Sequence, residues 1–334
     1  MKTWRAMLSL MVLASVLLLP NWPRPAEAGQ KIEATLASVN AAAFFIVRAE
    51  SLFAQKLREK TNGGVSINVV PGGAMGGMKE NFEAIMAGNL EMAQVNNAFL
   101  GSLYPGTMLF DLPFVFRDNE HMKHVVRGPI GEQVYGELEK KIGMKILMTG
   151  LPDGPRSVWN SRRPVRVPDD LKGMKLRVME GPVMVDSFRA LGAIPTPMAY
   201  PEIYMAAKQG VIDGAETPPF GLIDQKAYEV AKYYSLTKHF AMPSGVGVSA
   251  KWFNALSPEY KQAVLAAADE ARAWYDAQFD ADNAAALKEA MQRGMVVNEV
   301  ADIEQFRNAV KPVYDKYAER VGGWKMIQAV LDTK

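Results

Sequence analysis

Arg156, Asn160 and Arg177 lie close together in a stretch dense in Pro and Arg, and they are the residues whose types best suit a definite chemistry. Arg177 sits in the run Met174-Lys175-Leu176-Arg177-Val178. Read as a strand, alternation turns Met174, Leu176 and Val178 toward a core and Arg177 to the opposite face. A planar guanidinium fixed on a rigid strand suits two parallel hydrogen bonds to a carboxylate. The same pattern also fits a surface or ion-paired arginine, so the residues alone leave both readings open.

Other chemistries fail in detail. Gly72-Gly73-Ala74-Met75-Gly76-Gly77 lacks the Gly-Lys-Ser/Thr ending of a phosphate loop and does not match the dinucleotide glycine pattern. It reads as a flexible strand-to-helix turn. Of the three histidines, His121 and His124 could share a helix face, but no carboxylate in a metal motif accompanies them and HExxH is absent. There is no GxSxG elbow. The chain has no cysteine, which removes disulfides, thiolate metal sites and cysteine nucleophiles. No catalytic residue, metal or cofactor is expected. A formal net charge of +2 argues against nucleic acid as a partner.

The elements that must position these residues follow from periodicity. The chain has 334 residues, 49% of them hydrophobic and 22% charged, an ordinary globular composition. Such a length suits two domains of roughly 150 residues each. Lys2, Arg5, the apolar stretch Ala6 to Leu19 and Ala26-Glu27-Ala28 form a secretory signal peptide over residues 1–28, with cleavage near Ala28. Strands are expected at Ile32–Ala37, Val65–Val70, Leu90–Val95, Met144–Thr149, Met174–Val178, Val211–Asp213 and Ser244–Ala250. Helices are expected at Ala43–Thr61, Met78–Ala87, Glu120–Lys141, Val183–Leu191, Tyr200–Gln209 and Ile303–Tyr317. A long alanine-rich helix starts at Ser257-Pro258-Glu259, where serine caps and proline suits the first helical position. Strand–helix alternation implies an α/β fold around a largely parallel sheet. Asn96 and Asn97 follow a strand end, where open α/β sheets tend to bind ligands.

Around the arginines the chain resembles a known family. Gly154-Pro155-Arg156-Ser157-Val158-Trp159-Asn160, then Pro168-Asp169-Asp170-Leu171-Lys172-Gly173-Met174-Lys175-Leu176-Arg177-Val178, is similar to the central signature of the DctP-type solute-binding proteins of tripartite ATP-independent periplasmic (TRAP) transporters. Leu191-Gly192-Ala193-Ile194-Pro195-Thr196-Pro197-Met198 and Gly210-Val211-Ile212-Asp213-Gly214-Ala215-Glu216 extend the likeness, which covers essentially the whole chain after the signal segment.

The resemblance implies a two-lobed α/β periplasmic-binding fold with a ligand cleft between the lobes, crossing strands and a long shared helix. The expected division is residues 29–152 plus 244–282 for lobe I, and 153–243 plus 283–334 for lobe II. By position, Arg177 matches the arginine that pairs with the ligand carboxylate, Arg156 a supporting arginine that helps neutralise it, Asn160 a nearby polar contact and Glu216 an acidic residue near the site. Thr217 stands where dicarboxylate and sialic-acid binders often carry asparagine, which weakens any assignment to those ligands. Phe44 and Phe45 occupy a ligand-facing spot of the family, and Trp159, Phe220 and Asn97 are further cleft candidates. Thr217 and the aromatics point toward a monocarboxylate with a less polar tail. The implied function is capture of a small organic acid in the periplasm and its delivery to TRAP permease subunits in the membrane. An exported enzyme on the same architecture and a ligand-sensing receptor subunit are the competing classes. A monomer is the family's usual state, and the long helix offers a surface for a dimer.

Overall fold

The computed structural model describes residues 31–334. The signal peptide expected over 1–28 lies outside the described residues. Among these residues no helix is long and apolar enough to cross a membrane.

The chain opens with β1 (Ile32–Ala37), α1 (Phe45–Lys60), β2 (Val65–Val70), α2 (Met78–Ala87) and β3 (Met92–Asn96), followed by α3 (Asn119–Val126) and α4 (Pro129–Ile142). The long β4 (Met144–Asn160) leads to β5 (Lys175–Val178), α5 (Pro182–Ala190), β6 (Ile194–Pro197), α6 (Ile203–Lys208), β7 (Gly214–Thr217), α7 (Pro219–Asp224) and α8 (Ala227–Val230). Then come the equally long β8 (Tyr233–Ser249), α9 (Ala250–Ala255), α10 (Pro258–Gln292), β9 (Val296–Glu299), α11 (Ile303–Ala309), α12 (Lys311–Tyr317) and α13 (Gly323–Asp332).

The strands order as β2-β1-β3-β8-β4-β7-β5-β6, with β9 also on β8. The sheet is mixed rather than largely parallel. Strand β1 pairs in parallel with β2 and β3, and β5 with β6 and β7, but β8 and β4 run antiparallel to each other and to their neighbours β3 and β7. Each of β4 and β8 has 17 residues. At the rise of a strand that is about 55 Å, long enough to serve both halves of the molecule. The end of β8 pairs with β3 in one half, and its start pairs with β9 in the other. The pairing of β4 with β8 shifts register between Leu147 and Leu151 and on either side of Arg156, irregularities that bend a strand.

Helix α10 runs for 35 residues, a length of about 52 Å at the helical rise. The Ser257 hydroxyl caps it by accepting the Tyr260 N–H at 3.2 Å. Its buried stripe of Val264, Ala267, Ala271, Tyr275 and Phe279 packs on Phe45, Phe53 and Leu57 of α1, and farther along Ala290 joins a second core with Trp159, Ala215 and Tyr234.

Three local expectations are corrected. The single helix over Glu120–Lys141 is two, because Pro129 cannot donate to the preceding turn and starts α4 afresh. The helical run at Ile303–Tyr317 is likewise split at Val310, ahead of Pro312. The strand expected at Val211–Asp213 forms instead at Gly214–Thr217. Gly214 lies so close to β4 that a Cβ there would overlap the Trp159 carbonyl oxygen, so the glycine itself begins the pairing.

Glu50 of α1 is fully buried, and neither carboxyl oxygen has a hydrogen-bond partner among the described residues. Burial pushes its pKa up to about 8. The native state therefore holds a proton that the unfolded chain releases at ordinary carboxylate pH, and stability falls as pH rises between those values. Glu50→Gln should raise the melting temperature at pH 8 relative to the parent and change it far less at pH 5, as read by thermal unfolding across that range.

Candidate ligand-binding site

The carboxyl ends of β1, β3, β5 and β7 converge on one cavity, as open α/β sheets favour. The empty space at this place, open solvent included, is about 610 Å³. Val39 and Asn40 follow β1, Gln94 and Asn96 come from β3, and Arg177 and Thr217 from β5 and β7. The crossing strands add Asp153, Arg156 and Ser244, and the helices add Phe44, Ile46, Met78, Phe220 and Tyr275. Both halves of the sheet thus build one set of walls.

Arg177 is 1% exposed, on a strand flanked by β6 on one side and β7 on the other. Met174, Leu176 and Val178 are buried on the other face, as alternation requires. The Arg177 Nε donates to the Met198 carbonyl at 3.0 Å, while Nη2 is buried with no partner. Burial pulls its pKa down to about 10, with Arg156 adding to the effect and Glu216 opposing it. The side chain stays charged at neutral pH. A desolvated cation with an unpartnered N–H beside a cavity is a seat for an anion.

Arg156 is in the opposite state. Its Nε and Nη2 donate to the two carboxylate oxygens of Glu216 at 2.5 and 2.8 Å, Nη2 also to the Glu216 carbonyl, and Nη1 to Asp153 Oδ2 at 2.6 Å. Burial would raise the Glu216 carboxyl, but Arg156 and His239 together outweigh it and hold the pKa down to about 2. Arg156 thus lines the cavity as expected, with its guanidinium paired to two acidic neighbours.

The model of the bacterial extracellular solute-binding proteins, family 7 (DctP), matches residues 36–320. The chain belongs to this family. A solute-binding protein of Chromohalobacter salexigens is 33% identical over 272 residues, covering 81% of this chain and 80% of that one. A TRAP periplasmic solute-binding protein of Roseobacter denitrificans, solved with bound β-D-glucuronate, is 33% identical at a TM-score of 0.87, covering 90% of this chain and 100% of that one. One from Polaromonas sp. JS666, bound to D-erythronate, is 30% identical at a TM-score of 0.87, over 91% of this chain and 99% of that one.

Of the residues singled out from the DctP-like sequence, Arg177, Arg156, Thr217 and Phe44 line the cavity, as does Phe220, whose ring meets Phe44 edge-on at 4.9 Å. The others do not. Asn160 ends β4 with its Oδ1 accepting the backbone N–H groups of Arg162 and Arg163, a local turn. Trp159 is core, its Nε1 donating to Gln225 at 3.1 Å. Glu216 is fully buried behind Arg156. Asn97 points away, donating to Asp111 and Thr107 and accepting from Tyr135, whereas its neighbour Asn96 faces the cavity. Phe45 lies in the core among Phe220, Trp274, Tyr275 and Phe279.

Sequence reasoning missed Asn40, Gln94, Asp153, Tyr200, Ser244 and Tyr275 as wall residues. One signal was present: Gln94 and Asn96 alternate with Ala93 and Val95, which marks a polar face on an otherwise apolar strand. Nothing local marks Asp153 or Ser244. The Arg156–Glu216 pair yields a direct test. Glu216→Ala leaves a buried guanidinium short of its main partner and should cost about 3–5 kcal/mol, measured by chemical denaturation.

Proposed function

We propose that this protein captures a small organic acid in the periplasm, seats its carboxylate on Arg177 and passes it to the membrane permease of a TRAP transporter. The observation that carries this reading is the buried Arg177 guanidinium, unpartnered at Nη2 and facing the cavity. Relatives of similar fold hold D-glucuronate and D-erythronate, each with a carboxylate for such a group. Export by a leader cleaved near Ala28 fits this location. No bond-making step is needed; the protein's task is binding and release.

We take lobe I as residues 29–152 plus 244–282 and lobe II as 153–243 plus 283–334. Two observations support these boundaries. Pro152 faces Pro243 across β4 and β8, so both crossings fall at one level of the sheet. On α10, Asp282 bonds Arg48 of α1 at 2.9 Å, whereas Asn283 accepts the Phe220 N–H of α7 at 3.3 Å. At the rim, Gly73 approaches Pro201 so closely that a Cβ at position 73 would lie 2.7 Å from the proline ring, in keeping with lobes closed over the cavity. Hinged closure around a ligand expels water, which strengthens charge-assisted hydrogen bonds inside.

A thermal-shift screen of organic acids should find a stabilising ligand, since binding to the native state alone raises the melting temperature. Arg177→Lys replaces the fork by a point charge. It should weaken that acid by at least about 30-fold in calorimetry. Unchanged affinity would remove Arg177 from the binding role.

A further inference from the structure

Asp153 faces the same cavity as Arg177. Only one of its oxygens is engaged: Oδ2 accepts from Arg156 Nη1 at 2.6 Å and Asn96 Nδ2 at 2.5 Å, and Oδ1 takes no donor from the described residues. The neighbouring amide oxygens are already occupied. Asn96 Oδ1 takes the Ala98 N–H, Gln94 Oε1 takes Ser38 and the Val39 N–H, and Asn40 Oδ1 takes Gln94 Nε2. Ser244 Oγ accepts weakly from Asn96 at 3.4 Å, and its own proton has no acceptor among the described residues.

The wall therefore presents a donor fork at Arg177 and, elsewhere, a carboxylate oxygen with room for a donor. Asp153 and Glu216 both pair with Arg156, and of these two carboxylates it is Asp153 that lines the cavity. A second ligand carboxylate placed there would meet like charge in a desolvated wall. A ligand hydroxyl would donate to Asp153 Oδ1 and accept from Ser244. An ammonium brings three N–H groups to a place with one free side-chain carboxylate oxygen, and would leave donors unpaired.

We infer that Asp153 is a specificity-determining residue that makes this a site for a hydroxylated monocarboxylate and turns dicarboxylates away. The ligand's one carboxylate lies on Arg177, and one of its hydroxyls donates to Asp153 Oδ1. This assignment rests on the carboxylate-binding reading above.

Calorimetric titration of the purified protein with matched acids tests it: D-gluconate and D-glucuronate, hexanoate without hydroxyls, D-glucarate with a second carboxylate, and norleucine and 6-aminohexanoate with an ammonium. A hydroxylated monoacid should bind at least about tenfold tighter than each of the other classes. Asp153→Asn should narrow the gap to D-glucarate, with thermal unfolding reporting that the variant is folded. Ser244→Ala provides a second variant, expected to weaken the hydroxylated acid and leave hexanoate unchanged. D-glucarate, hexanoate or an amino acid binding as tightly as the hydroxylated acids overturns the assignment, as does an unaltered gap in folded Asp153→Asn. Binding of no acid at all, by contrast, overturns the carboxylate reading itself.

Discussion

A guanidinium inside a sheet loses its water and must recover that loss from partners. Arg177 recovers little of it from the protein: one carbonyl, that of Met198, accepts from Nε, and Nη2 has no partner. The strand that carries it is hydrogen-bonded on both sides, so the side chain cannot escape to solvent by a small backbone adjustment. The fold holds a cation whose coordination the protein itself leaves incomplete, beside a cavity. The cavity and its aromatic walls surround that unmet demand.

Arg156 shows how differently the same residue type can be used. It is buried as well, yet its donor contacts all go to Glu216 and Asp153. Breaking such a pair is costly, because the remaining charge stays buried, although the intact pair adds little net stability over an apolar replacement. Its value here is positional. It fixes Asp153 with one oxygen engaged, so the acidic side of the cavity is as defined as the basic side.

Two long strands tie the halves of the sheet together. The strands β4 and β8 cross from one half to the other at Pro152 and Pro243, and the pairing is irregular on both sides of that level. Helix α10 packs on α1 at one end and reaches the core around Trp159 at the other. The charged wall residues Asp153, Arg156 and Arg177 all come from one side of the crossing and the polar Asn40, Gln94 and Asn96 from the other, while the apolar wall of Phe44, Phe220 and Tyr275 is joined by ring contacts reaching across α1, α7 and α10.

Sequence patterns alone determined what depends on neighbours along the chain. The period of apolar residues located α1, α2 and β2, the Ser257-Pro258 cap located the start of α10, and alternation around Leu176 showed that Arg177 departs from its strand's apolar face. The family resemblance then supplied the class of fold and function. Tertiary structure decided what depends on pairs far apart in the chain. Glu216 lies sixty positions from Arg156 and takes three of its hydrogen bonds, so which arginine is paired with acidic neighbours could not be read locally. Asn96 and Asn97 look alike in sequence, but strand geometry sends one to the cavity and the other to Asp111. Asp153 and Ser244 become wall residues only because β4 and β8 pair at that level. Hydrogen-bond saturation and burial are properties of the packed molecule, and they separate a binding charge from a structural one.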